Sequence, residues 1–143
     1  MSTRTQILQW CDETLQTAQF KDYAPNGLQV EGRERIGKLV SGVTASLALI
    51  KAAIAAGADA IFVHHGLFWR GQDGRVTGWM KQRLARLLAH DVNLYAYHLP
   101  LDAHPQLGNN VQLAEKLDWV LEKQFGEQNL LNTGRLKTTQ TLA

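Results

Sequence analysis

The sequence is poor in cysteine, poor in proline and without any long apolar run: its 143 residues include one Cys and three Pro. A lone thiol, Cys11, cannot form an intrachain disulfide. Its place among the apolar positions of a predicted helix makes it a buried, inert group, and a reducing, cytoplasmic setting fits. No stretch approaches the about 18 consecutive apolar residues that cross a bilayer. The opening MSTRTQILQW also lacks the apolar centre and small-residue site of an export signal, so an unexported, soluble chain is expected. Charge of one sign is lacking too: 15 Lys and Arg stand against 13 Asp and Glu, for a net charge of +2. The cations are scattered, and neither nucleic acid nor an acidic membrane surface is implied as a partner. There is no repeat, no low-complexity tract and no shift of composition. With 45% hydrophobic residues, the chain is expected to bury one core, in a single domain over 1–123 followed by an irregular tail over 124–143.

What is present is an alternation of strand and helix. Ile7, Leu8, Cys11, Leu15 and Ala18 recur at helical spacing, and Thr3 with Gln6 forms a capping box. The stretch KDYAPNGLQVEG follows, where Pro25 and the Asn26-Gly27 pair signal a turn; a structural turn is favoured there over a binding loop. Next come a strand in KLVSGVT, an alanine-rich helix from Ser46 to Ala56 closed by Gly57, and a strand from Asp59 to Val63. A helix over Trp79 to His90, a strand over Val92 to Tyr97 and a helix over Asn109 to Leu117 complete the pattern. Single helices between strands require right-handed crossovers, which predicts an α/β fold with a parallel or mostly parallel sheet flanked by helices.

Open parallel sheets bind ligands beyond the carboxyl ends of their strands. In DAIFVHHGLFWR the adjacent histidines His64 and His65 stand at such an end, just before Gly66. His98 stands past another, and Asp102 follows it four residues later in HLPLDAHPQLGNN. If the two strands are neighbours, the four side chains converge on one crevice, as a metal site at the carboxyl ends of the strands. Neutral imidazoles and carboxylates are ordinary ligands of divalent ions. Adjacent strand residues point to opposite faces, so His64 and His65 share a cleft only if the strand breaks at Gly66. The pair can then diverge toward two ions, and two metals about 3.5–4 Å apart are a recurrent hydrolytic arrangement. His90, in the last turn of a cationic helix, is explained by the helix dipole, and His104, before Pro105, is a weaker ligand candidate. Trp69, Trp79 and Trp119 read as core or interface residues, because no basic stripe accompanies them. RGQDGR reads as a surface turn, since a phosphate-cradling loop needs a helix directly after its glycines.

The segments DYAPNGLQVEG, VSGVTAS, GADAIFVHHGLFWRG and YAYHLPLDAHPQLGNN, in that order, resemble the dinuclear metal-binding family of GTP cyclohydrolase 1 type 2 homologues. The likeness covers about Tyr23 to Leu117. It implies His64, His65 and Asp102 as metal ligands and gives His98 a supporting or catalytic role in the same cavity. It also implies two divalent ions per complete site and a cytosolic homo-oligomer, commonly a ring-shaped hexamer. Family members are longer, and their C-terminal portion supplies a further histidine and a helical glutamate that complete the two-metal site. No histidine follows Leu117 here, and Glu122 and Glu127 lack that partner. The dinuclear site is thus expected to be incomplete, either because the sequence is a truncated form or because another polypeptide completes it. Three ligands would hold a metal weakly, with water in its remaining positions.

The leading functional expectation is a metal-dependent hydrolase-like protein in which an activated water attacks an unknown, nucleotide-like substrate and His98 carries a proton. The alternatives are a non-catalytic metal-binding or ligand-sensing module whose ring assembly matters, and an inactive truncated fragment. His and Asp ligands suit zinc, iron, manganese and nickel alike.

Overall fold

The structure is a computed structural model that describes residues 1–138. The chain forms two compact units, Met1–His98 and Leu99–Ala143. Among the described residues no helix is long and apolar enough to cross a membrane.

The first unit is built on a four-stranded sheet. Its strands are β2 (Gly27–Val30), β4 (Leu39–Thr44), β5 (Ala60–His65) and β6 (Asn93–Ala96), in the order β2-β6-β5-β4. β4, β5 and β6 run parallel, whereas β2 lies antiparallel on the outside of β6. The sheet is therefore mixed and mostly parallel, within an α/β fold. A short pair, β1 (Ser2–Thr3) with β3 (Arg35–Ile36), stands apart from it. β2 is the strand that sequence patterning reads as loop: the Pro and Gly signals before it are real, but a four-residue edge strand leaves little alternation to detect.

Strand alternation sorts the core into two faces. Ile61 and Val63 of β5 and Leu94 and Ala96 of β6 pack with Ile50 and Ala53 of α2 (Leu47–Ala55) and with Met80 and Leu87 of α3 (Gly78–Ala89). Tyr95 and Tyr97, both fully buried, belong to the alternate positions. Their hydroxyls reach α1 (Arg4–Leu15): Tyr95 donates to the Arg4 carbonyl and Tyr97 to the Asp12 carboxylate, each at 2.9 Å. Phe62 stacks on Tyr97 with ring centroids 5.5 Å apart. Burial pushes the Tyr95 phenol up to about 12 and the Cys11 thiol up to about 11, so the thiol is the inert core group its position predicts. Asn93 is buried yet satisfied, accepting from Gly32 N and donating to the Arg33 and Asp59 carbonyls.

Local signals account for the helix starts. Thr3 accepts from Gln6 N at 3.2 Å while the Gln6 side chain accepts from Thr3 N at 2.9 Å, the capping box read from the sequence. Ser46 caps α2 through Leu49 N. β5 extends two residues beyond the predicted end, so both histidines lie inside its last turn of pleat.

The second unit contains α4 (Leu99–Ala103), α5 (Asn109–Lys116) and a hairpin of β7 (Trp119–Phe125) with β8 (Leu131–Leu136). The expected domain boundary at 123 falls inside β7, and the expected irregular tail contains β8. Residues 139–143 of that tail lie outside the described residues. The hairpin escaped detection because both strands are largely exposed, which removes the apolar–polar alternation that marks a half-buried strand.

Asp59 links the turn before β4 to the start of β5. Its carboxylate accepts from Gly37 N, Lys38 N and Arg33 Nη1, each at 2.9 Å. The Gly37 N–H first, then Lys38 N–H and Arg33, hold its carboxyl below the ordinary range. A carboxyl depressed in the folded state stabilises above the unfolded value of about 3.9, and that contribution is lost as pH falls through the folded value. Asp59→Ala should therefore cost about 1–2 kcal/mol at neutral pH, with the gap from wild type closing below about pH 4. Denaturant titrations across a pH series measure this.

Candidate metal centre

Parallel pairing of β5 with β6 sets Val63 opposite Ala96 and brings the carboxyl ends of both strands to one edge of the sheet. His64 and His65 close β5, and His98 follows β6. Their rings gather there: centroids lie 4.5 Å apart for His64–His65, 4.9 Å for His64–His98 and 5.8 Å for His65–His98. One nitrogen from each ring falls in a set whose members all lie within 4.8 Å of one another, a grouping able to hold a metal ion.

Neighbours in a strand ordinarily diverge, and different anchors explain why these two meet. His64 turns toward β6, its Nδ1 3.0 Å from the Tyr97 carbonyl. His65 turns toward β4, its Nδ1 3.1 Å from Thr44 Oγ1. The chain leaves the strand at Gly66, where a Cβ would run into the Gln29 amide. That amide receives the Leu67 N–H at 2.8 Å and donates to the Pro25 carbonyl at 2.9 Å.

The loop before β2 forms the opposite wall. Asp22, whose side chain is only 3% exposed, stands 2.9 Å from His98 Nδ1 through Oδ1. The same oxygen accepts from Tyr23 N and Ala24 N, and Oδ2 accepts from Asn26 Nδ2. Asn26 Oδ1 in turn receives the His98 backbone N–H at 2.7 Å. Arg70 ties the loop to the segment after β5, donating from its backbone to the Tyr23 carbonyl and from Nη2 to the Asp22 carbonyl. Trp69 meets His98 edge-on at 5.0 Å and His65 at 6.0 Å, and Tyr23 lies 6.0 Å from His98.

A carbonyl or carboxylate at Nδ1 of a neutral imidazole calls for a proton on that nitrogen, leaving the lone pair on Nε2. Metal-binding histidines characteristically have their second nitrogen engaged in this way by a carbonyl or carboxylate. His64 and His98 therefore have the chemistry of Nε2 ligands.

Asp102 lies on α4 of the second unit, where its Oδ1 accepts from Asn109 Nδ2 at 2.9 Å. His104, in the same unit, accepts from Gln106 N and Leu107 N through Nδ1 and so braces a turn. His90 lies 2.9 Å from the Arg86 carbonyl at the end of α3, away from the cluster. Asp73 pairs with Arg75 within RGQDGR, a surface turn as expected. Trp69, read from sequence as core or interface, is instead a wall of the histidine cluster. Asp22 and Asn26 were missed as site residues. The turn signal located their loop, but nothing local connects Asp22 to a histidine 76 residues later.

A family model described as Duf34/NIF3 (NGG1p interacting factor 3) matches residues 2–143. The chain belongs to this family. It is 63% identical over 142 residues to a GTP cyclohydrolase 1 type 2 homolog of Neisseria meningitidis serogroup A, across 99% of this chain and 57% of that protein. A relative of the same name from Escherichia coli K12 is 57% identical over 113 residues, across 79% of this chain and 46% of its own length. A solved structure described as protein ybgI, of unknown function, superposes with a TM-score of 0.92 at 49% identity, over 95% of this chain and 54% of that one. The chain spans about half the length of the curated relatives it matches.

Gly66→Ala should displace the Gln29 amide and strip the Leu67 N–H of its acceptor, costing about 1–3 kcal/mol. Chemical denaturation together with an unchanged far-UV circular dichroism spectrum checks this.

Proposed function

We propose that this Duf34/NIF3 chain carries the histidine-bearing part of a divalent-metal centre in a hydrolase-like protein. The observation behind the reading is the grouping of His64, His65 and His98, with nitrogens within 4.8 Å of one another. His64 and His65 are assigned as ligands, and Asp102 is assigned as an oxygen ligand on the strength of the family resemblance. His98 belongs to the site in one of the two roles open to a histidine there, ligand or proton carrier. The donor set suits zinc, iron, manganese or nickel.

When bound, a divalent ion in such a centre acts as a Lewis acid and lowers the pKa of a water toward neutrality. The chain's own residues supply the rest. His64 and His65 present nitrogen donors from a rigid strand end. Trp69 and Tyr23 flank the cluster with aromatic surface that limits water around it. The relatives' shared name supports a nucleotide such as GTP as the substrate class to test first. A second ion belongs to the same proposal on the strength of the family resemblance.

Assembly as a cytoplasmic homo-oligomer, a ring-shaped hexamer in the fullest form, rests on the resemblance. It is supported by the apolar side chains exposed on the second unit, among them Leu113, Leu117, Trp119 and Leu131.

His64→Ala and His65→Ala should each weaken metal binding at least about tenfold, read by elemental analysis after gel filtration and by chelator competition. Asp102→Asn should lower it as well. Unchanged metal content in all three would remove the site assignment. Failure of the metal-loaded protein to convert GTP or a panel of phosphoesters and cyclic amides would remove the hydrolase reading.

A further inference from the structure

We propose that His98 is a third nitrogen ligand of this metal centre and that Asp22 is the positioning residue that makes it one, an inference that rests on the metal-binding reading above. His98 is held at two points by a single loop: its backbone N–H by Asn26 Oδ1 at 2.7 Å, and its ring Nδ1 by Asp22 Oδ1 at 2.9 Å. Asp22 is itself fixed, since its two oxygens also receive Tyr23 N, Ala24 N and Asn26 Nδ2. With 3% of its side chain exposed, it is a buried acceptor rather than a solvated surface charge.

The consequence is a choice of tautomer. An ionised carboxylate at Nδ1 places the proton there and the lone pair on Nε2, as the Tyr97 carbonyl does for His64. Ring proximity then puts His98 within the same nitrogen grouping as His64 and His65. A proton carrier needs only reach, whereas a ligand needs a fixed ring plane and a fixed lone pair. The double tether meets the second requirement. A carboxylate–imidazole pair of this kind also raises the basicity of the ligating nitrogen. The metal would thus have three imidazoles among its ligands, all contributed by residues of the Met1–His98 unit.

Asp22→Asn separates this role from a structural one. The asparagine oxygen at the Oδ1 position can still receive Tyr23 N and Ala24 N, so the turn is kept and the NH₂ falls on the Asn26 side, but the charge that favours a proton on His98 Nδ1 is gone. Two-bond ¹H–¹⁵N correlation spectra of the metal-free protein report the tautomer of each ring. The expected result is a shift of His98 toward the Nε2-protonated form, with His64 unchanged as the internal control. Zinc affinity, measured by competition with a chromophoric chelator, should fall 10–100-fold in Asp22→Asn, a range of about 10–100 being usual for loss of such a partner, and further in His98→Ala.

An unchanged His98 tautomer in Asp22→Asn overturns the positioning role. A zinc affinity within threefold of wild type in His98→Ala, while His64→Ala abolishes binding, overturns ligation by His98 and leaves the metal-binding reading standing. A wild-type chain that binds no zinc, yet whose His98 tautomer follows Asp22, overturns both the ligand role and the metal-binding reading beneath it.

Discussion

The parallel pairing of β5 with β6 is the constraint on which the site depends. Parallel neighbours end at the same edge of a sheet, so a histidine pair closing one strand and a histidine just after the next are brought together by backbone hydrogen bonding alone. The pairing is secured from both sides. Ile61, Val63, Leu94 and Ala96 are packed against α2 and α3, and the alternate residues Tyr95 and Tyr97 are bonded to α1. A one-residue slip would exchange these two buried faces, turning the tyrosines toward α2 and α3 and taking their hydroxyls from α1, so the register that positions the histidines is the register the core enforces.

Strand pairing supplies proximity, and hydrogen bonds supply direction. The three rings are turned by three different partners: a main-chain carbonyl for His64, a hydroxyl for His65 and a buried carboxylate for His98. The first comes from the strand next door and carries no side-chain signature. The last comes from a loop whose Pro25 and Asn26-Gly27 signals read as punctuation. That loop is a turn and a wall of the site at once, because turn-forming Asx side chains are short acceptors held close to the backbone and can face a neighbouring element as readily as their own.

Legibility in the sequence followed burial. β5, β6, α2 and α3 were read to within a residue or two because the core demands apolar runs and helical spacing there, while β4, largely exposed, was read from its run of strand-forming residues. β2 and the β7–β8 hairpin were not read, because an edge strand of four residues and a largely exposed hairpin face no demand of that kind. The same logic applies to single residues. His64 and His65 were conspicuous as a pair at a strand end, His90 was left to its helix, and Trp69 was taken for core or interface because a tryptophan carries no mark of what it stands beside.

The sequence by itself determined the α/β alternation, the buried Cys11, the capping box at Thr3 and Gln6, and the placing of His64, His65 and His98 at the carboxyl ends of strands. All of these depend on contacts between residues near in the chain, or on the average environment of a strand or helix. Only the tertiary structure decided that β5 and β6 are neighbours, that three rings share one grouping, and that Asp22 Oδ1 stands beside His98 Nδ1. Those facts rest on single hydrogen bonds between residues tens of positions apart, which local propensity does not encode and which exist only once the sheet order has been set.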